Sequence, residues 1–391
     1  MGLFSAFLAL CFLIFFHELG HFCAARIMGV KVEVFSIGFG KKILHKTIGG
    51  TQYALSLIPL GGYVKLKGQD DLDPLKRDIA DDSYSSKSPW AKIIILSAGV
   101  VFNLLLAFLL YIAVASAGIK VLLPVVGSVQ EDSPAQRAGI LPGDHIVGAR
   151  VIDSGDSSLG VLDFASPGEP ASLIEILSWQ DLSDIISQTP QLDSSPGSGE
   201  LFAPLAFAIM RITGDKTTKL TLILRPESSS HQNLFGEMIR QPMIGISAQG
   251  AVGEMRLNFT RAVKFAYKEL LRSSLLIFES LKKLILGVIP LDQVGGVVGI
   301  VDVMAEVAPS GFSAFAMLIA LISVNLAVIN LLPIPALDGG QILFVCYEAL
   351  MRKPMSDRVL YALTLLGWTL LLGLMVLGVY NDVLRIVTRS F

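Results

Sequence analysis

The residues best suited to chemistry are His17, Glu18 and His21, which lie in the sequence His-Glu-Leu-Gly-His. On a helix, residues four apart share a face, so both imidazoles can reach one metal ion. Glu18 lies between them and can take a proton from a water molecule that the metal activates. The pattern occurs by chance in many proteins, but here it stands inside an apolar stretch, where ionisable side chains are costly and need partners. It predicts a catalytic zinc site; the weaker alternative is that these residues only pair with other polar groups in a helix bundle.

A catalytic zinc ion usually has three protein ligands, so two histidines leave it one ligand short. Asp338 is the best candidate for the third, because it is followed by Gly339 and Gly340, which allow the backbone to bend and bring a carboxylate to the metal. An ordinary aspartate that caps a helix over residues 341–351 explains the same residue equally well. Spacing alone does not choose between the two.

The elements that must position these residues are apolar. The chain has 391 residues, of which 52% are hydrophobic and 16% charged, and its mean hydropathy is +0.63, which indicates several membrane spans. A net charge of −2 gives no electrostatic case for nucleic acid. The three cysteines form no Cys-x-x-Cys pair, which argues against a disulfide framework and against a cysteine zinc site. Four stretches are long enough to cross a bilayer, at about 2–28, 93–117, 312–332 and 359–380.

Basic residues predict the orientation of these spans. None precedes the first span, whereas many follow it between Arg26 and Lys92, and the connection between the last two spans carries Arg352, Lys353 and Arg358. Short loops rich in lysine and arginine stay in the cytoplasm. The N-terminus, the long middle segment and the C-terminus are therefore expected outside. The first stretch has no basic residues before it and carries His17 and Glu18, so it is expected to be a permanent span rather than a cleaved signal peptide.

The remaining sequence divides into regions of different character. Strand-like segments flank Gly49-Gly50, which is a two-residue hairpin signal. The middle segment alternates short strands with a helix at 178–187 and carries Ser/Asp/Gly/Pro-rich insertions at 153–170 and 189–199. An amphipathic helical pattern at 254–286 predicts either an interfacial helix or a soluble helix packed on its own domain. The predicted domains are 1–28 (first span), 29–91 (β region and loop), 92–117 (second span), 118–250 (outside α+β domain), 251–310 (amphipathic helix and glycine-rich connector) and 311–391 (third and fourth spans).

Three asparagines lie in the predicted spans. Asn103 is in the second, and Asn325 and Asn330 are in the third. Each could satisfy backbone groups or hold a substrate, and for Asn103 an interhelical hydrogen bond is the simpler interpretation.

Two motifs together resemble the site-2 proteases. They are His17 to His21 in the first span and the sequence Asn-Leu-Leu-Pro-Ile-Pro-Ala-Leu-Asp-Gly-Gly at 330–340. Within that family, the bacterial regulator-of-sigma-E protease branch matches best, with further similarity at 35–40 and 58–65. The resemblance covers nearly the whole chain.

The resemblance implies roles for individual residues. His17, His21 and Asp338 would bind zinc, and Glu18 would be the catalytic acid and base. Asn330 would help to hold the substrate backbone near the metal, and Asn325 is a further candidate for substrate binding.

The resemblance also implies a fold and a location. The expected fold is a multi-pass α-helical membrane protein with four transmembrane helices, a membrane-associated β-hairpin or sheet and an inserted PDZ-like α+β domain. The PDZ-like similarity lies in Ser133-Pro134-Ala135, Ala138-Gly139-Ile140 and Gly143-Asp144. The bacterial inner membrane is the expected location, with the PDZ-like domain and both termini in the periplasm. Well-studied members of the branch have two tandem PDZ domains, and the family often has Gly-Pro where this chain has Gly99-Val100. These differences leave open how substrates are admitted to the site and which partners the protein has.

The function that the resemblance implies is zinc-dependent intramembrane proteolysis. Expected substrates are transmembrane segments of single-pass proteins, such as anti-sigma factors already shortened by another protease, together with remnant signal peptides. A helical substrate must unwind before cleavage, and an exposed strand edge near Gly49-Gly50 could receive it. The substitution Leu55→Pro is expected to test this edge by breaking its pairing. The alternatives are a membrane metalloprotease that acts on surface loops and a non-catalytic zinc-binding scaffold or transporter. Glu18 argues against the scaffold.

Overall fold

The computed structural model describes residues 2–69, 78, 80–152, 173–193, 201–233, 236–353 and 355–389. The insertion predicted at 153–170 lies outside this part of the chain, and so does most of the one predicted at 189–199. The chain forms two compact units. Unit 1 contains Met1–Gly118 and Arg256–Phe391, and unit 2 contains Ile119–Met255.

The helices in chain order include three short ones besides the long apolar ones. They are α1 Gly2–Ile27, α2 Pro89–Ala117, α3 Pro134–Arg137, α4 Trp179–Ser187, α5 Phe259–Ile285, α6 Val297–Val307, α7 Phe312–Asn330, α8 Asp338–Met351 and α9 Asp357–Arg389.

The strands fall into a pair of long ones in unit 1 and many short ones in unit 2. They are β1 Val32–Ile48, β2 Thr51–Leu66, β3 Ile119–Leu122, β4 Val126–Val129, β5 His145–Val151, β6 Ile174–Glu175, β7 Gln191–Asp193, β8 Leu201–Phe202, β9 Leu205–Thr213, β10 Lys216–Leu224, β11 Glu227–Gln232, β12 Met238–Met243, β13 Ile246–Ala248 and β14 Val252–Met255.

Four of the described helices, α1, α2, α7 and α9, are long and apolar enough to cross a membrane. They lie where the sequence predicts spans, although α2 and α9 extend further. The earlier start of α2 has a local cause. Pro89 occupies its first turn and the Ser88 side chain accepts a hydrogen bond from the Ala91 amide, so the helix begins four residues before the apolar stretch.

Strands β1 and β2 form a sheet with more than the two adjacent strand segments of a simple hairpin, and these segments are called rows here. Gly49 and Gly50 both have positive φ, 59° and 81°, as a two-residue hairpin turn requires. Both strands bend, so that residues 51–55 lie between two parts of β1: Leu55 pairs with Leu44 on one side and with Ile37 on the other. The rows at the two edges are residues 42–48 and residues 62–66. Leu55 is therefore internal, and the expectation that Leu55→Pro probes an exposed edge is wrong.

Helix α5 packs against α2 and α7 within unit 1. Its small residues Ala262 and Ala266 are buried, and the Tyr111 hydroxyl lies 3.1 Å from the Ser273 hydroxyl. The alternative of a soluble helix packed on its own domain is wrong, since α5 packs against the apolar helices α2 and α7. The helix also begins at Phe259, later than the pattern predicts, because Val252–Met255 forms β14 with β3 as its partner.

Helix α6 lies in the glycine-rich stretch for which the sequence gives no prediction. Its first turn is held by Asp382 of α9, whose carboxylate accepts hydrogen bonds from the amides of Gly296, at 3.0 and 3.1 Å, and Gly299, at 2.7 Å. Met304 on the opposite side of α6 packs on Ala6 and Ala9 of α1. A distant side chain thus caps the helix, and no local signal could have announced it.

Unit 2 has its own core around the sheet β10-β9-β5-β6. The loop before β5 is pinned by Asp144, which is 1% exposed and accepts from Arg211 Nε and Nη2 at 2.7 Å each. These hydrogen bonds raise the pKa of Arg211. Unit 2 ends at Met255 rather than at the predicted residue 250, because β14 pairs with β3.

Candidate metal centre

His17, His21 and Asp338 meet in the interior of unit 1. His17 Nε2 and His21 Nε2 are 3.3 Å apart, and Asp338 Oδ2 lies 3.5 Å from the first and 3.4 Å from the second. The three atoms form a nearly equilateral triangle. Among the described residues, no other group of three metal-ligating side chains brings its ligand atoms this close to one another.

The triangle fits a tetrahedral zinc ion. Zinc bonds of 2.0–2.1 Å to nitrogen and oxygen separate neighbouring ligand atoms in a tetrahedron by about 3.3–3.4 Å. The Asp338 Oδ2 atom is buried and has no hydrogen-bond partner, which is costly for a carboxylate oxygen unless a cation binds it. The donor set, two imidazoles and one carboxylate, is one that catalytic zinc sites use, and it leaves one position open.

Asp338 reaches the histidines because of a tight turn between α7 and α8. It is the first residue of α8, and no side-chain cap bond forms at that end of the helix, so the capping alternative is wrong. A Cβ on Gly339 would lie 2.3 Å from the Leu331 carbonyl oxygen, and one on Gly340 would lie 2.1 Å from that of Ile334. Neither glycine has positive φ. The glycines therefore allow two backbone segments to touch, rather than an unusual bend.

Helix α2 contacts both histidine rings at their Nδ1 atoms. His21 Nδ1 lies 2.9 Å from the carbonyl oxygen of Ile95, and His17 Nδ1 lies 3.2 Å from Asn103 Nδ2. Between these two contacts, a Cβ on Gly99 would come within 2.3 Å of His21 Nε2 and 2.6 Å of His17 Cε1. The missing side chain at Gly99 thus provides the space in which the two imidazoles converge.

Glu18 faces the sheet. The Cγ atom of Glu18 would lie 3.1 Å from a Cβ built on Gly62, which belongs to the edge row 62–66 of β2. Both residues line a cavity of about 790 Å³ that also contains His17, His21 and Asp338. The cavity extends past Tyr63 and Val64 along the edge row, and residues of α2, α8 and α9 line its other sides. An extended peptide in it would lie beside both the carboxylate and the triangle.

The asparagines differ in position. Asn330 Nδ2 lies 3.4 Å from His17 Nε2, so Asn330 is part of the cluster. Asn325 instead lines a separate cavity of about 440 Å³ with Asp382 and Arg385. Asn103 makes the interhelical hydrogen bond that the sequence favours, and its partner is His17. The sequence gives no signal for this partner, because it depends on how α1 and α2 are aligned.

Two imidazoles, a carboxylate and a neighbouring glutamate on apolar helices define the class of a membrane-embedded metallopeptidase. Comparison with known proteins agrees. The sequence profile of peptidase family M50 matches residues 5–374. A Campylobacter jejuni protein named "Putative zinc metalloprotease Cj1068" is 39% identical over 380 residues, or 97% of this chain and 92% of its own. Protease RseP of Yersinia pestis is 31% identical over 442 residues, or 97% of each chain.

The chain belongs to peptidase family M50. It is an integral membrane zinc metalloprotease and a homologue of RseP. The resemblance found in the sequence is confirmed, and so are the enzyme class and the zinc cofactor.

Proposed function

We propose that this protein is an intramembrane endopeptidase that cleaves the transmembrane segments of other proteins. Its site is held by His17, His21 and Asp338 as zinc ligands, and Glu18 acts as the catalytic acid and base. The observation that carries the proposal is the triangle of Nε2, Nε2 and Oδ2 atoms, with sides of 3.3–3.5 Å, formed between apolar helices.

Zinc, when bound, supplies a Lewis acid that polarises the scissile carbonyl and makes water more acidic. Glu18 takes the proton of the attacking water and delivers it to the leaving nitrogen. Asn330, whose amide is 3.4 Å from His17 Nε2, donates a hydrogen bond to the substrate backbone beside the cluster. The apolar helices around the cavity limit access of bulk water, which strengthens these interactions.

The substrate segment is extended along the edge row 62–66. This row has β1 on one side only, and no other described strand pairs with its outer side. A transmembrane helix hides its peptide bonds in its own hydrogen bonds, so it must unwind before it is cut. Pairing with an open strand edge replaces those lost hydrogen bonds and places the substrate next to Glu18.

Unit 2 acts as a PDZ-like module that selects substrates. It either excludes bulky extracytoplasmic domains or binds the end left by a first protease, as expected for anti-sigma factors. Strand β13 supports the second role, since it pairs only with β4 among the described strands and has a free edge. The distribution of basic residues supports an inner-membrane location, with unit 2 and both termini in the periplasm.

The test compares wild type with Glu18→Gln, both purified in detergent. Zinc content and cleavage of a model transmembrane substrate are measured on the same samples. The expected result is one zinc per chain in both proteins and cleavage by the wild type only. A folded wild type without zinc, or a Glu18→Gln variant that still cleaves, would refute the proposal.

The position of the cut separates this function from a second candidate. A metalloprotease that trims surface loops would use the same zinc site on bonds outside the membrane. Mass spectrometry of the products locates the scissile bond. Cuts only within loops would favour the alternative.

A further inference from the structure

We propose that Asn103 is a positioning residue for the metal centre, which holds the His17 ring so that its Nε2 atom faces the zinc ion. The inference rests on the zinc ligands proposed above. The structure assigns the role through a contact between α2 and α1: Asn103 Nδ2 lies 3.2 Å from His17 Nδ1. Asn103 is fully buried, so its amide has no access to solvent.

His21 shows what such a partner does. Its Nδ1 lies 2.9 Å from the Ile95 carbonyl oxygen, which can only accept, so Nδ1 carries the proton and Nε2 has a free lone pair for a metal. His17 needs the same arrangement, because its Nε2 is the atom that lies beside His21 Nε2 and Asp338 Oδ2. Its Nδ1 must therefore be a donor and requires an acceptor.

The Asn103 amide lies within hydrogen-bond distance of His17 Nδ1 and can supply this acceptor, next to the Gly99 carbonyl oxygen, which also interacts with the His17 ring. The Asn103 Oδ1 atom is buried and has no hydrogen-bond partner. The two ends of a side-chain amide have nearly the same shape, and a half-turn about the last side-chain bond exchanges them. In the turned orientation Oδ1 accepts from the His17 Nδ1 hydrogen. This is the orientation we assign to the zinc-bound protein, since the other one sets two donors against each other.

The backbone of Asn103 makes a separate interhelical hydrogen bond. The Asn103 carbonyl oxygen accepts a hydrogen bond of 2.8 Å from the Ser323 hydroxyl of α7, and Ser323 is also fully buried. Helix α2 thus supplies an acceptor for each histidine, the Ile95 carbonyl and the Asn103 side chain, with Gly99 between them. The second acceptor depends on a side chain and can be removed by mutation.

The experiment measures zinc affinity by chelator competition on wild type, Asn103→Leu, Asn103→Asp and Ser323→Ala. Asn103→Leu keeps the approximate volume and removes the acceptor, so the affinity should fall about 10- to 100-fold. Asn103→Asp keeps an acceptor and should bind zinc more tightly than Asn103→Leu. Ser323→Ala removes a neighbouring interhelical hydrogen bond without touching His17, so its affinity should match wild type. Thermal unfolding of the zinc-free proteins shows that each variant is folded.

Three outcomes would overturn the inference: Asn103→Leu binds zinc like wild type, Asn103→Asp is as weak as Asn103→Leu, or Ser323→Ala loses as much affinity as Asn103→Leu. The last would mean that general packing of α2 on α7 causes the effect. If instead the wild type itself binds no zinc, the proposed function fails, which is distinct from the failure of this inference.

Discussion

At the scale of single residues, the site depends as much on missing side chains as on present ones. Gly99 lies where any Cβ would overlap both imidazoles, and Gly20 of α1 lies where a Cβ would be 2.3 Å from the Ala98 carbonyl oxygen. These glycines allow α1 and α2 to touch at the level of the histidines. The distance between the histidine rings and α2 is therefore set by backbone contact, which is hard to adjust.

Replacing Gly99 by alanine should disrupt the metal centre. The added methyl would lie 2.3 Å from His21 Nε2, so a ring must move and the ligand triangle opens. We expect zinc content and cleavage both to fall at least 10-fold. Metal analysis of the purified protein checks this. Gly373→Ala in α9 is the matched control, because nothing lies within 4 Å of its Cβ position, and it should keep full zinc and activity.

Replacing Asp338, the proposed third zinc ligand, should separate metal binding from folding. Asp338→Asn keeps the size of the side chain but removes the charge that faces the two Nε2 atoms. We expect zinc affinity to fall strongly, while thermal stability of the zinc-free protein stays the same or rises, because a buried acceptor without a partner is lost. A variant that retains stoichiometric zinc at wild-type affinity would exclude Asp338 as a ligand.

The sequence predicts part of this site and misses the rest for a physical reason. His17, Glu18 and His21 are recognisable because their spacing is local to one helix. Asp338 stays ambiguous on spacing alone, because an aspartate before a helix has two ordinary explanations. The contacts of Gly99 and Asn103 follow from the alignment of two helices, which no local pattern encodes.

At the scale of elements, the two edges of the β1–β2 sheet differ in what they face. The row 62–66 lines the cavity with Glu18, whereas no residue of the row 42–48 lines it. The hairpin turn is predictable from Gly49-Gly50. The bends that turn two strands into several rows are not predictable, because they arise where the pairing register of β1 shifts, between Ile37 and Leu44 along the strand.

Proline substitutions should distinguish the two edges. Successive residues of a strand direct their N–H groups to opposite sides, so one of Tyr63→Pro and Val64→Pro removes a donor from the outer side of the row 62–66. We expect at least one of them to lower cleavage about 10-fold or more with zinc content unchanged. Leu44→Pro and His45→Pro at the other edge are the controls. Equal loss from both edges would indicate damage to the sheet rather than lost substrate pairing.

The contact between α9 and α6 makes a second prediction about elements. Asp382 is 2% exposed and accepts hydrogen bonds from two amides, those of Gly296 and Gly299, at the start of α6. Asp382→Ala leaves those donors without a partner and should lower the free energy of unfolding by about 1–3 kcal/mol. Limited proteolysis should then cut faster between α5 and α6. Unchanged stability and proteolysis would show that the cap is dispensable.

At the scale of the whole molecule, the four long apolar helices are predictable from composition, since length and hydropathy suffice. The division into two units is also visible in the sequence, although its end at Met255 is not. A short strand there pairs with another more than a hundred residues away, Met255 with Ile119, and such distant pairing leaves no local trace.

Deleting residues 125–247 tests the role of unit 2. The deletion keeps β3 and β14, which pair from Ile119–Met255 to Leu122–Val252, so the two chain ends to be joined lie close together. We expect cleavage of substrates that have not been shortened by another protease, with zinc content unchanged. Site-specific cleavage is followed by gel analysis and mass spectrometry. If intact substrates remain resistant, unit 2 is not what excludes them.

The metal centre joins distant parts of the chain: His17 and Asn330 are 313 residues apart in sequence. During biosynthesis the helix with both histidines leaves the ribosome long before the carboxylate does. A growing chain therefore lacks the third proposed ligand until Asp338 has been synthesised. If these residues are the zinc ligands, the site can form only late in synthesis, so a chain that is still being made should not yet cleave its neighbours.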